Sequence, residues 1–380
     1  MSADEVASLF APLELGNITL PNRIVVSPMC QYSSEDGFAN DWHLVHLGSR
    51  ASGGASLVIT EATAVTAAGR ISPRDLGLWK DEHIIPLKRI VDFLHAQGTF
   101  AGIQLAHAGR KASMSPPWVG ERIMTTEEGG WDEVVAPSPI AFAPHYKLPK
   151  ELEEAGVDEI VDAFAQAARR ALLAGFDVIE VHAAHGYLLH EFLSPLSNHR
   201  SDMYGGPLEN RIRPLMRVVD AVRDWWPEEK PLFVRISATD WADGGWNVQS
   251  SIALAAQLRL RKVDLVDVSS GGLVPGVKIP VGPGYQTHFS EQIRRHTGVP
   301  TGAVGMISEP AQADHILRTG QADLVLIARE FLRDPYWALH AAADLGEKIA
   351  WPVQYLRAAG PGVLSREPVT ADLAESLRLA

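Results

Sequence analysis

Short apolar runs alternate with helical patterns along almost the whole chain. The runs are RIVVSPM (23–29), SLVITEA (56–62), FAGIQLA (100–106), FDVIEVH (176–182), LFVRISA (232–238), LVDVSS (265–270), TGAVG (301–305) and LVLIAR (324–329). Each is brief, rich in Val and Ile and mostly bounded by Gly, Pro or polar residues, as buried parallel strands are. Between them, apolar residues recur at three- and four-residue spacing. The clearest case is VDEIVDAFAQAARRALLAG (157–175), which closes on Gly175, a helix stop. Eight such strand–helix units predict an α/β fold, a single (β/α)8 barrel, rather than a six-stranded nucleotide-binding sheet. No G-x-G-x-x-G follows the first strand, which also disfavours the latter. One domain is expected over 1–360, with a proline- and tryptophan-containing capping segment at about 112–149 after strand 3. A tail at 361–380 is expected to lack fixed structure, apart from a short helix over 370–379.

Composition narrows the class. A net charge of −12 argues against nucleic acid or an anionic membrane as partner, since both need a basic surface. Cys30 is the only cysteine, so no internal disulfide can form, which suits a reducing cytoplasm. The acidic start MSADEVASLF lacks a basic region and a long apolar run, and no stretch has the apolar length of a membrane span.

Barrel active sites form where strands end, and polar residues gather there. Strand 1 ends in Ser27, Pro28, Met29 and Cys30, strand 3 in Gln104 and His107, and strand 4 in Glu180, His182 and His185. Strand 5 carries Arg235, strand 6 Ser269, Ser270 and Gly271, strand 7 Gly305 and strand 8 Arg329. Alternation along a strand turns Ile179 and Val181 toward the outer helices and Glu180 and His182 inward, and it likewise aims Arg235 inward. An inward arginine must be paired or meet an anion. Glu180 and His107 also read as satisfied polar groups of the barrel core. His182 and His185 do not have the spacing of a metalloprotease pair, and only Glu180 stands nearby as a further ligand. A metal-dependent barrel hydrolase is therefore the lesser reading, and two imidazole donors for a carbonyl oxygen or oxyanion the better one. Tyr187 adds a phenol able to give a proton.

The strings PNRIVVSPMCQYSS, GIQLAHAGRKA, AGFDVIEVHAAHGYLLHEFLSPLSNHRSDMYGGPLENR and LFVRISA, followed by GAVGMIS and ADLVLIAREFLRDP, resemble the old yellow enzyme family. The likeness is greatest to its thermophile-type branch and runs from about Leu9 to Arg357. It implies a TIM barrel that holds FMN non-covalently at its mouth. By the resemblance, backbone at Ser27, Pro28, Met29 and Ala62 contacts the flavin ring, Gln104 bonds its pyrimidine edge, and Arg235 lies near N1 and O2. The FMN phosphate would sit on backbone N–H groups at Ser270–Gly271, Gly305 and Ala328–Arg329, with Arg329 as counter-charge. His182 and His185 would grip the carbonyl of an α,β-unsaturated substrate while hydride passes from flavin N5 to Cβ and Tyr187 protonates Cα. Tyr32 would add a bond to the substrate oxygen, and Cys30 would tune potential and affinity. NADPH or NADH would use the same pocket first, giving ping-pong kinetics. The resemblance further implies a homodimer or homotetramer in which Arg357 reaches the neighbouring subunit. A flavin-binding protein with little turnover is the third reading. Two departures stand out: Ala328 where relatives often have Gly, and a longer segment at 112–134.

Overall fold

The computed structural model describes residues 7–361 and 363–366; the helix expected over 370–379 lies outside them. Eight parallel strands close into a barrel in chain order: β1 (Ile24–Val26), β2 (Leu57–Ala64), β3 (Phe100–Ala106), β4 (Val178–Ala183), β5 (Leu232–Ser237), β6 (Leu265–Ser269), β7 (Thr301–Ala303) and β8 (Leu324–Ile327). Strand β8 pairs with β1, so the sheet has no free edge. All eight predicted runs are strands. The last two residues of TGAVG leave the ladder, so β7 stops at Ala303.

Helices α1 (Asp41–Ser52), α2 (Ile84–Ala96), α3 (Glu154–Ala174), α4 (Arg213–Arg223), α5 (Val248–Leu260), α6 (Thr287–Thr297), α7 (Pro310–Arg318) and α8 (Trp337–Leu345) surround the barrel. Helix α3 starts at Glu154 rather than 157 and ends on Gly175, whose φ of +90° is the left-handed stop that the glycine predicted. Among the described residues no helix is long and apolar enough to cross a membrane.

Strand alternation divides the core in two. Ile179, Val181, Val234, Ile236, Val266 and Val268 pack outward against the helices. Val25, Leu57, Ile59, Val178, Phe233, Leu265, Leu324 and Leu326 fill the barrel. Below them Leu15, Ile18 and Leu20, from an antiparallel hairpin of Leu13–Leu15 and Ile18–Leu20, plug its N-terminal end. This apolar plug leaves the other end as the place where polar groups collect. The register of β2 against β3 slips between Ile59 and Ala62, one extra residue in β2. The slip brings Ala62 opposite Gln104, while the Glu61 carboxylate accepts from Gln31 N and lies 3.2 Å from His43 on α1.

The segment 112–149 contains two short 3-10 turns, Pro117–Val119 and Thr126–Glu128, and a strand Val135–Ala136 that pairs with Lys150–Glu151. It reaches over the barrel mouth: Trp118 packs edge-on to Tyr32 at 5.8 Å, and Phe142 lies 4.0 Å under the Lys111 amine.

Candidate active site

Above the apolar layer lies a ring of buried polar side chains. Gln104 Nε2 donates to Glu180 Oε1 at 2.7 Å. Arg235 Nε lies 3.0 Å from Asp267 Oδ2, and its Nη1 donates to Ser27 Oγ at 3.1 Å. Parallel register places Asp267 directly opposite Arg235 on the adjoining strand, so the inward arginine does have a carboxylate partner. Burial raises the carboxyls of both Glu180 and Asp267, Glu180 also through the charge of Asp267. Glu180 thus belongs to the buried barrel interior, with Oε1 accepting from Gln104 and Oε2 left without a hydrogen-bond partner. So does His107, whose Nδ1 accepts Gly109 N–H at 3.1 Å and which burial pushes down to about 4.

One layer higher, β4 delivers His182, and a tight turn delivers His185 and Tyr187. His185 and Gly186 both adopt left-handed backbone, φ +59° and +72°. Glycine is required at 186, because a Cβ there would come within 2.3 Å of Gly272 O. Ser237 Oγ accepts His185 N–H at 2.9 Å, and the Lys111 amine donates to His185 O at 2.8 Å. The turn brings three predicted residues together. The ring of His182 stands 5.1 Å from that of His185 and 5.1 Å from that of Tyr187, edge-on to both. His185 Nδ1 approaches His182 Nε2 at 3.4 Å, and His185 Nε2 meets Ser269 Oγ at 2.7 Å. His182 Nδ1 is buried with no partner.

Electrostatics fix the protonation of this group. Burial, then the positive charge of Arg235, pushes both imidazoles well below their ordinary range, so they are neutral near pH 7. Burial, then Cys30 and Asp75, pushes the Tyr187 phenol up, so it keeps its proton. Burial also lowers the Lys111 amine to about 8. Across the mouth, β1 ends in half-buried Pro28, Met29 and Cys30, followed by Tyr32 at φ +48°. Burial, then Asp75 and Glu61, raises the Cys30 thiol; burial, then Cys30 and Tyr187, raises Tyr32. These groups therefore face one space as neutral donors.

Beside β7 and β8 opens a cavity of ≈ 450 Å³ lined by Ser269, Tyr285, Gln286, Gly305, Ala328, Arg329 and Arg333, among others. Gly305, at φ +127°, keeps it open; a Cβ there would come within 2.8 Å of Gln286 Nε2. Ser270 and Gly271 do not line it. Ser270 Oγ is held between Trp241 Nε1 and Gln286 Oε1, and Gly271 N–H donates to Thr239 O. Arg357 sits exposed on the 3-10 turn Val353–Ala358.

Lys111, Asp267, Gln286 and Arg333 were not singled out in the sequence. Asp267 had a readable signal, its place in the inward phase of LVDVSS between Leu265 and Ser269. Among the described residues no group of three or more His, Cys, Asp or Glu side chains could hold a metal ion, so the hydrolase reading lacks a ligand set.

The site thus combines a cavity edged by Arg329 and Arg333 together with Glu309 and Glu330, an inward Arg–Gln layer and a cluster of neutral donors. Comparison with known proteins gives the family of the chain. Residues 8–348 match the model of the NADH:flavin oxidoreductase / NADH oxidase family, an FMN family. The chain is 50% identical over 351 residues to an NADPH dehydrogenase of Geobacillus sp. (strain WCH70), covering 92% of this chain and 98% of the relative. It is 51% identical to an NADPH dehydrogenase of Listeria innocua, covering 93% and 99%. Among solved structures, morphinone reductase superposes with a TM-score of 0.76 at 29% identity, covering 91% of each chain, and has also been solved with tetrahydroNAD. A 2-naphthoyl-CoA reductase superposes with a TM-score of 0.80 at 25% identity over 90% of this chain; the chain spans about half (52%) of that protein's length. The chain belongs to the NADH:flavin oxidoreductase / NADH oxidase family, the old yellow enzyme family that its motifs resemble.

Proposed function

We propose that this flavin oxidoreductase reduces the activated C=C bond of α,β-unsaturated carbonyl compounds with NADPH or NADH as donor. The observation that carries the reading is the meeting of two neutral imidazoles and a protonated phenol, His182, His185 and Tyr187, in the barrel mouth. The surrounding residues fit FMN. The cavity edged by Arg329, Ala328 and Gly305 suits a phosphate, with Ser270–Gly271 behind the wall formed by Gln286. Gln104 and Arg235 supply donors for a polar ring edge, and Ser27, Pro28, Met29 and Ala62 supply its flanking backbone. When bound, FMN supplies the two-electron chemistry, accepting hydride from the nicotinamide and returning it to the alkene. Both substrates would use the pocket in turn, giving ping-pong kinetics.

The chain's own residues do the rest. A carbonyl oxygen seated against His182 and His185 takes their N–H groups, which stabilise the negative charge that grows on it as Cβ is reduced. The 3.4 Å contact between the two rings is long and yields readily to an oxygen. Tyr187 then gives its proton to Cα. Tyr32 adds a second phenol donor, and the Cys30 thiol tunes potential and substrate affinity beside the ring. Arg357, exposed on its turn, would complete the pocket of a neighbouring subunit in a homodimer or homotetramer; unchanged kinetics in Arg357→Ala would remove that role. With one cysteine and an acidic surface, the enzyme fits a cytoplasmic setting.

The test is spectroscopic and kinetic. The purified protein should be yellow, bleach anaerobically with NADPH and recover its colour on adding an enone. Replacing both His182 and His185 by Ala should keep the flavin and cost at least about 100-fold in enone reduction, as loss of preorganised donors does elsewhere. Full activity in that variant would defeat the oxygen-grip reading.

A further inference from the structure

His190 and Asp240 form a fully buried pair directly behind the turn that carries His185 and Tyr187. His190 lies on the short helix Leu188–Leu193, and Asp240 lies just past β5. The N–H of Gly186 donates to His190 Nδ1 at 2.9 Å. On the other side of the ring, Nε2 lies 2.9 Å from Asp240 Oδ1 in a bent contact, and neither atom has another hydrogen-bond partner. Asp240 Oδ2 is anchored separately, accepting from Ser194 Oγ at 2.6 Å and from Trp246 N–H at 2.7 Å. Burial would raise that carboxyl, but donors from His190, Ser194 and Trp246 overcome it and hold it below its usual range.

These contacts leave His190 one tautomer. Nδ1 accepts from a backbone N–H, which can only donate, so it carries no proton. Nε2 faces a carboxylate oxygen, and two lone pairs at that distance would repel, so the proton sits on Nε2. Asp240 therefore selects the tautomer whose free Nδ1 can receive Gly186. That residue joins His185 to Tyr187 and is one of two consecutive left-handed positions. The Gly186 N–H is the donor at the midpoint of a turn whose first residue, His185, is held at its N–H by Ser237 Oγ and at its carbonyl by the Lys111 amine.

We propose that His190, set by Asp240, is a positioning residue that locks the turn aiming His185 and Tyr187 at the substrate. The pair touches neither substrate nor cofactor; it acts through one backbone hydrogen bond. The inference rests on the roles given to His185 and Tyr187 above. It differs from them in claiming that an acceptor at the Nδ1 position, and not an imidazole as such, is what His190 contributes.

That claim is decided by geometry-specific replacements in the FMN-loaded enzyme. Asn places its amide oxygen on Cγ, as His places Nδ1, whereas Gln places it one bond farther out and Leu offers none. His190→Leu and His190→Gln should keep the flavin spectrum and lose about 10- to 100-fold in kcat for an enone, the scale of a misplaced reacting group. His190→Asn should recover to within about threefold of the unaltered enzyme, since the acceptor is restored. Equal impairment of Asn and Gln, or no impairment in either, overturns the proposal. Nitrogen-15 NMR of histidine-labelled enzyme is independent of the variants' folding and should show His190 protonated at Nε2 and bare at Nδ1; a proton on Nδ1 overturns it as well. The His182→Ala, His185→Ala double variant run alongside separates the two ideas. If it is inactive while His190→Gln is fully active, only the positioning role falls. If the unaltered enzyme reduces no enone, the functional reading falls while the nitrogen spectrum still judges the hydrogen bond.

Discussion

Replacing Glu191 by Gln should make the stability of this barrel less sensitive to alkali. Glu191 is fully buried; its Oε1 accepts Arg110 N–H at 3.0 Å, and its Oε2 has no partner. The loop beneath it is tight, since a Cβ on Gly109 would come within 2.2 Å of Oε1. Burial pushes the carboxyl from 4.5 up to about 8, despite the opposing charges of Arg110 and Lys111. Between those values the unfolded chain has lost the proton and the native chain still holds it. The native state binds more protons, so stability falls as pH rises: the contribution is fully present below 4.5 and gone above about 8. At about 1.4 kcal/mol per pH unit, the loss between roughly pH 5.5 and 7.5 is about 3 kcal/mol. Gln has the same shape, keeps the acceptor for Arg110 and cannot ionise. Urea unfolding of both proteins at the two pH values, in excess FMN, measures the effect. Buried groups common to both, Glu180 and Asp75 among them, cancel in the difference. The advantage of Glu191→Gln over the unaltered protein should grow by about 3 kcal/mol toward the higher pH. A gap constant to within about 0.5 kcal/mol would refute the reasoning, because the carboxyl would then ionise alike in both states.

Gly186→Ala should cost about 1–3 kcal/mol from its left-handed backbone alone, with more from the clash with Gly272 O, and should lower Tm and enone turnover together. Asp267→Leu leaves the buried Arg235 guanidinium without its carboxylate, so a loss of about 3–5 kcal/mol is expected in urea unfolding of the FMN-free protein. Trp118 is 64% exposed yet packs on Tyr32, so Trp118→Ala should leave stability within about 0.5 kcal/mol and instead change KM for bulky enones. A KM unchanged across a substrate size series would show that the capping segment does not shape the pocket.

Much of this architecture could be read from short-range pattern. Period-two alternation in DVIEVH and LFVRISA sent Ile179, Val181, Val234 and Ile236 to the helices and Glu180, His182 and Arg235 inward. Gly175 marked the end of α3 because one residue type suits that backbone. What escaped depends on residues far apart in sequence. The pairing of Arg235 with Asp267 follows from the register of β5 on β6, which no local pattern specifies. Lys111 matters because its amine reaches carbonyls of His185 and Gly272, on two other loops. Ser270 and Gly271 leave the cavity because Trp241, Thr239 and Gln286 claim their polar groups. Nothing within their own strand could reveal that.

The extra residue in β2 between Ile59 and Ala62 works as a frameshift in the strand's in–out code. Ile59 faces the lumen, so unbroken alternation would aim Glu61 inward too and seat a negative charge beside the Arg235 layer. The skipped beat gives that place to Ala62 and turns Glu61 toward His43 on the outer helix. Deleting the single codon of Thr60 would therefore restore plain alternation and still leave Ile59 and Ala62 inward and Glu61 outward, so this wall of the pocket can be straightened without exchanging its faces.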